Sequence, residues 1–406
     1  MSKQEIHQWQ FKSRFRKGAF GWKSTPAITR IKEAVKEIQK VARKEPVLAA
    51  EGAVVFLEKL SPAIEKVDSS SGAIGTAVNN AIKVLVPLLV NAPADTKKRE
   101  SWLESLFDAH EADQIPYIEG LTDYWGELCV TKETASFWAD RLLWVTTQAL
   151  SSDKNMRGFF HGTTACLSAL YKAERYDEII GIVQRDNIWA YKRWVMKALI
   201  AQGKKSDAIR YAEESRNPWA NSSDTNQLCE ETLLSSGLID EAYARYGLIA
   251  NQRGTYLAWF RAVVKKYPHK QPAEILADLV KQTPGDEGKW FAAAKDSGLY
   301  AEAISLANTS PTDPRTLIRA ARDYADKNPR FALESGVVAL RWMAQGYGYE
   351  ITGADVSNAC RYTAQAAENA GDKDSIMEWV RESISKETNG QNFAAKLVRR
   401  WLEKTI

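Results

Sequence analysis

The 406-residue chain is 45% hydrophobic and 26% charged, with a formal net charge of +4. That length exceeds what a single hydrophobic core fills, so two domains or an elongated array are expected. Ala, Leu, Glu, Lys and Arg dominate long periodic segments while strand-like alternation is scarce, which excludes β-rich architectures and makes the chain all-α.

Residues 1–44 hold twelve basic side chains against three acidic ones, a surplus of nine, so the remainder carries a deficit of five. Within residues 1–24 the aromatics Trp9, Phe11, Phe15, Phe20 and Trp22 interleave with Lys12, Arg14, Arg16, Lys17 and Lys23. Two readings compete. The segment caps the first helical layer with its aromatics, or it is a nucleic-acid arm in which Trp9 and Trp22 stack on bases and Arg14, Arg16, Lys17 and Lys23 neutralise phosphates. Docking on an acidic partner, or on the chain's own acidic remainder, is a third use.

A helical domain is expected over 25–150. Ile28, Ile31, Val35, Ile38 and Val41 recur every three or four residues, with Thr25 as N-cap ahead of Pro26. A second helix runs from Pro46 to Leu60, and the polar string Asp68–Gly72 caps a third over Ala73–Val90. That string lacks both the Lys and the preceding strand of a phosphate-binding loop. Helices follow at Thr96–Ala109 and Ile115–Cys129, and Thr131 with Thr134 opens an aromatic helix carrying Phe137, Trp138, Leu142, Leu143 and Val145. Periodicity then breaks between Ser151 and Gly162, the expected boundary of a second domain over 160–406.

In that domain the stretch Leu233–Ala250 reads as helix, tight turn at Gly237, helix. Ile239, Ala242, Tyr243, Tyr246 and Ala250 share one face of its second helix. Apolar residues eight and four before the turn, and five, six and nine after it, recur around Glu174, Gly203, Gly298 and, more loosely, Tyr267, Asn328 and Gly371. The turn markers are 29, 34, 30, 31, 30 and 43 residues apart, which predicts stacked helical hairpins. In this period and these small-residue turns the chain resembles the tetratricopeptide and related α-solenoid families, which implies a tetratricopeptide-like stack after a less regular N-terminal region. No unit carries the full tetratricopeptide set of Trp, Leu-Gly, Tyr and closing Pro. The strings FLEKL at Phe56–Leu60, VDSSSGAIG at Val67–Gly75 and APAD at Ala92–Asp95 are similar to an uncharacterised bacterial helical-repeat family, some members of which follow a SWIM-type zinc finger. This resemblance implies no activity.

Chemistry is harder to find. Cys129, Cys166, Cys229 and Cys360 lie far apart, and His7, His110, His161 and His269 are equally scattered, so no metal or cofactor is expected. His161 and Cys166 are five apart, about 140° of helix, and do not share a face. The N-terminus has no secretion-signal pattern, and the apolar run Val84–Val90 is much shorter than the roughly 20 residues of a membrane span. A cytoplasmic protein without membrane association is expected. The residue six before each turn points away from the buried face, and Lys197, Arg261 and Arg322 occupy that place. They are the candidate partner-binding residues, suited to an acidic segment of a protein partner. The expectation is a non-catalytic scaffold, with nucleic-acid association and an unrecognised enzyme as alternatives.

Overall fold

In the computed structural model, residues 7–151, 158–183, 189–215, 223–371, 378–382 and 392–404 are described. They are all-α, with no strand among them. The chain divides into two compact units, Met1–Ser222 and Ser223–Ile406. The break in periodicity at Ser151–Gly162 therefore lies inside the first unit, where packing continues across it. The Cys166 thiol of α8 (Thr163–Lys172) donates to the Ala139 carbonyl of α7 (Lys132–Ala149) over 3.8 Å.

The first unit opens with α1 (Gln10–Arg14), α2 (Ser24–Ala42), α3 (Pro46–Ile64), α4 (Ala73–Asn91) and α5 (Thr96–Glu111). α2, α3 and α4 pack on one another through residues such as Ile31, Ile38, Phe56, Leu57, Ile82 and Leu85. At 19 residues α4 is long and apolar enough to cross a membrane, yet Ile74, Val78, Leu85 and Leu89 are buried inside this unit. Thr25 is not an N-cap: α2 starts one residue earlier, and the Thr29 hydroxyl donates back to the Thr25 carbonyl at 3.0 Å. Thr131 does cap α7, accepting from the Thr134 amide at 3.2 Å. Instead of one helix over Ile115–Cys129, there is a 3₁₀ turn at Glu119–Tyr124 followed by the short α6 (Trp125–Cys129). Buried Tyr117, Ile118, Leu121 and Trp125 anchor this segment. On α7, Trp138 and Leu142 are buried while Phe137 and Val145 are exposed.

The N-terminal segment is docked on this core. Phe11 and Phe15 are buried edge-on against Phe56, with ring centroids 5.6 and 5.1 Å away, and Phe20 is buried beside Phe15. Burying a Phe side chain is worth about 1.5–3 kcal/mol. The Glu37 carboxylate accepts from the Gln10 and Phe11 amides at 2.7 and 3.2 Å, satisfying otherwise orphaned donors at the start of α1.

The hairpin turns share a backbone device. Glu174, Gly203, Gly237 and Gly298 have φ of 60°, 79°, 78° and 73°. At each, the left-handed residue donates three residues back and its successor donates five back: Arg175 to Leu170, Lys204 to Leu199, Leu238 to Leu233 and Leu299 to Ala294, all at 2.9–3.0 Å. This is the Schellman helix ending, which satisfies the last carbonyls while reversing the chain. The looser positions turn differently. Asn328 has φ −151° and N-caps the next helix, and Tyr267 has φ −121°. Gly371 also lies in the positive-φ region, but Ile376 and Met377, expected to pack after it, lie outside the described residues.

In the second unit, a helix at Ser223–Leu234 is followed by a short helix at Ile239–Ala242, a π-helical turn at Tyr243–Gly247 and a last helical turn at Leu248–Ala250. Ala242, Tyr243, Tyr246 and Ala250 are buried as expected, but Ile239 is 45% exposed. Around the π turn lies a buried polar centre. Glu230, fully buried, accepts from Asn251 Nδ2 at 2.6 Å, Lys266 Nζ at 2.5 Å and Tyr267 Oη at 2.5 Å. Gly247 makes room for this, since a Cβ there would lie 2.9 Å from the Tyr267 hydroxyl. Burial and the Glu230 carboxylate push the Tyr267 phenol far above its ordinary pKa.

Two predictions follow from the turns and the polar centre. Glu174→Gly relieves a left-handed Glu and raises stability by up to ~1 kcal/mol, whereas Gly237→Ala, with nothing within 4 Å of its Cβ, lowers it by about 1 kcal/mol through strain alone. Urea midpoints of both variants check the opposite signs. Glu230→Ala leaves Lys266 and Tyr267 without their acceptor and costs about 3–5 kcal/mol, against about 1.5–3 kcal/mol for Tyr267→Phe. Equal losses in thermal unfolding of the two variants would contradict this ranking.

Candidate functional site

In the first unit, the 3₁₀ turn and α6 lie against α8. The Ser168 hydroxyl donates to the Asp123 carbonyl at 3.0 Å and accepts from the Gly126 amide at 2.9 Å. Gly126 is needed for this approach, because a Cβ would lie 2.2 Å from the Ser168 carbonyl oxygen. Ser168, one of the residues six before a turn, is thus covered.

Beside this contact a cleft of about 290 Å³ opens among α6, α8, α9 (Tyr176–Val183) and α10 (Trp189–Ala201). Its aromatic wall is Tyr171, Tyr176 and Trp194, with Tyr171 5.5 Å from Tyr176 and 5.9 Å from Trp194 between centroids. Burial raises the Tyr171 phenol pKa, so it stays a neutral hydroxyl at physiological pH. Lys132, Lys172 and Lys197 supply positive charge, and Asp123, Glu127 and Glu174 negative charge. Part of this charge is internally matched: Lys132 Nζ lies 2.5 Å from Glu174 Oε2, and Arg193 pairs with Asp123. Lys197 Nζ sits 4.3 Å from the Trp194 ring centroid, within cation–π range. The buried Trp194 indole N–H has no acceptor among the described residues. A buried donor left unmatched costs about 1–3 kcal/mol, and this nitrogen lies beneath the cleft surface.

Of the three cations predicted to bind a partner, only Lys197 lines this cleft. Arg261 and Arg322 belong to the second unit, and both are committed to carboxylates. Arg261 Nε reaches Asp296 Oδ2 at 2.8 Å and its Nη2 reaches Oδ1 at 2.5 Å, while Arg322 Nε reaches Asp323 Oδ1 at 2.7 Å. These pairs hold the Asp296 and Asp323 carboxyls below the usual carboxylate range.

The N-terminal candidates separate by depth. The Trp9 ring covers Gly52, where a Cβ would lie 2.2 Å from it, and Arg14 pairs with Glu33 at 3.1 Å. Arg16, Lys17 and Lys23 are exposed, and Trp22 is 72% exposed. Trp9 is thus half-buried against α3, while Trp22 stands in solvent.

His161 and Cys166 do not meet. The His161 carbonyl contacts His110 Nε2 at 3.0 Å, while burial pushes the Cys166 thiol to about 11. Burial likewise raises Cys129 and Cys360 to about 12, which keeps these thiols protonated and unreactive. Among the described residues no three His, Cys, Asp or Glu side chains converge to hold a metal ion.

Tyr171, Lys172, Tyr176 and Trp194 were outside the positions singled out in the sequence. Their signal was local: Tyr171, Lys172 and Tyr176 flank the turn at Glu174 within the string YKAERY. No protein-family model matches the chain, and no curated protein matches it either.

Gly126→Ala should force α6 and α8 apart and cost about 1–3 kcal/mol, as overpacking does. An unchanged urea midpoint would show that the backbones separate freely.

Proposed function

We propose that the chain is a non-catalytic recognition protein, a tetratricopeptide-like α-solenoid of stacked hairpins, and that its first unit holds an extended acidic segment of a protein partner in the cleft around Trp194. The observation that supports this reading is the combination of an aromatic wall and the lysines Lys172 and Lys197 in one open cleft. A peptide matches both parts: its apolar side chains lie on Tyr171 and Tyr176, and its carboxylates meet the lysines. Catalysis fits the lining less well. Lys132 with Glu174 and Asp123 with Arg193 neutralise one another, and no Ser, Cys or His nucleophile with an adjacent base lines the cleft among the described residues.

The test is affinity capture by the full chain from its native lysate, with and without nuclease, compared with the double variant Lys172→Glu/Lys197→Glu. A stoichiometric protein partner should be retained regardless of nuclease, with binding weakened at least tenfold by the double reversal, about 1.4 kcal/mol. Retention that survives the reversal in a normally helical variant removes the cleft as the site.

A further inference from the structure

The docking of α1 has a second effect, on the charge of α2. The two described acidic residues of the basic N-terminal region are both used on the side of α2 that meets α1. Glu37 accepts the Gln10 and Phe11 amides, and Glu33 holds Arg14 at 3.1 Å and Arg30 at 2.6 Å. A different face of the same helix carries Thr25, Thr29, Lys32, Lys36, Lys40 and Arg43. At 100° per residue these fall within roughly 80° of arc. All six are exposed, and none of the four cations forms a salt bridge among the described residues.

We propose that this face of α2 is a docking surface for the sugar-phosphate backbone of a nucleic acid. Lys32 to Arg43 spans about 16 Å at 1.5 Å per residue, the axial length over which one strand of a duplex presents about five phosphates. Thr25, whose hydroxyl can donate to a phosphate oxygen, continues the face toward the helix N-terminus, while the Thr29 hydroxyl stays on the Thr25 carbonyl. Bland explanations cover only part of the stripe. Cations in the last turn offset the helix dipole, which accounts for Lys40 and Arg43 but not for Lys32 and Lys36. An interfacial membrane helix needs large apolar residues beside its cations, whereas the residues that border this face most closely are Gln39 and Glu33, each about 20° outside it at 100° per residue. With Phe11, Phe15 and Phe20 buried and no aromatic side chain on the stripe itself, contact is with phosphates rather than bases, so the binding is sequence-independent.

The experiment is fluorescence anisotropy of a labelled 30-base-pair duplex DNA with the full chain, across a sodium chloride series. Four phosphate contacts predict a log–log salt slope near −3.6, or roughly a hundredfold loss of affinity between 50 and 200 mM salt. The triple variant Lys32→Ala/Lys36→Ala/Lys40→Ala should bind at least tenfold more weakly at 50 mM and show a slope near −0.9, while keeping wild-type helicity by circular dichroism. Absence of wild-type binding at 50 mM, or equal affinity and slope in the triple variant, overturns the proposal. So does sedimentation with phosphatidylserine vesicles that depends on these lysines while DNA is not bound.

Discussion

Every helix in a hairpin must stop, leave its last carbonyls satisfied and send the chain back the way it came. At Glu174, Gly203, Gly237 and Gly298 the chain does all three with one left-handed residue and the same pair of backbone hydrogen bonds. Because that device sets the phase between the two helices, it also decides which residues are buried. Cys166 and Leu170 before Glu174, and Ile179 and Val183 after it, are all fully buried. Residues beside the turn are released from core duty, and Tyr171, Lys172 and Tyr176 line an open cleft instead. Core packing and cleft lining thus divide the same hairpin between them, according to distance from the turn.

Charge is organised by a comparable division. Sequence composition shows a basic N-terminus but not where its positive charge is exposed. Docking of α1 answers this by drawing Glu33 and Glu37 to one side of α2. The lysines on the remaining face gain nothing from that contact. In the second unit the opposite happens: Arg261 and Arg322, singled out in the sequence by their offset from the turns, are matched by Asp296 and Asp323. Exposed pairs of this kind contribute only about 0–1 kcal/mol of stability, but they remove the arginines' surplus charge from the surface.

Much of the fold was legible because strong helical periodicity and turn chemistry are local signals. The helices over Ser24–Ala42, Pro46–Ile64 and Ala73–Asn91 lie close to their expected bounds, and Thr131 caps its helix as its spacing with Thr134 suggests. The failures have tertiary causes. Ile115–Cys129 does not form one helix: Tyr117, Ile118, Leu121 and Trp125 are all buried, on a path of bends, 3₁₀ turn and one short helix. The partner of Arg261 lies 35 residues away, beyond any local pattern. Among the site residues Lys197 was visible from its offset to the turn, but Trp194 was not. Its place in the cleft wall rests on packing against Tyr171 in three dimensions, which no spacing encodes.

The π turn at Tyr243–Gly247 belongs to the hairpin that looked most regular in sequence. A π turn is equivalent to one residue inserted into an α-helix, so everything after it is rotated by about 100° relative to an uninterrupted helix. That phase shift accompanies the placement of Asn251 on Glu230, together with Lys266 and Tyr267 from a later helix and its end. Helical register and burial of a carboxylate are therefore coupled here. A one-residue deletion within the turn would restore regular winding and at the same time move Asn251 off its acceptor. The most periodic-looking hairpin is the one least free to become a regular helix.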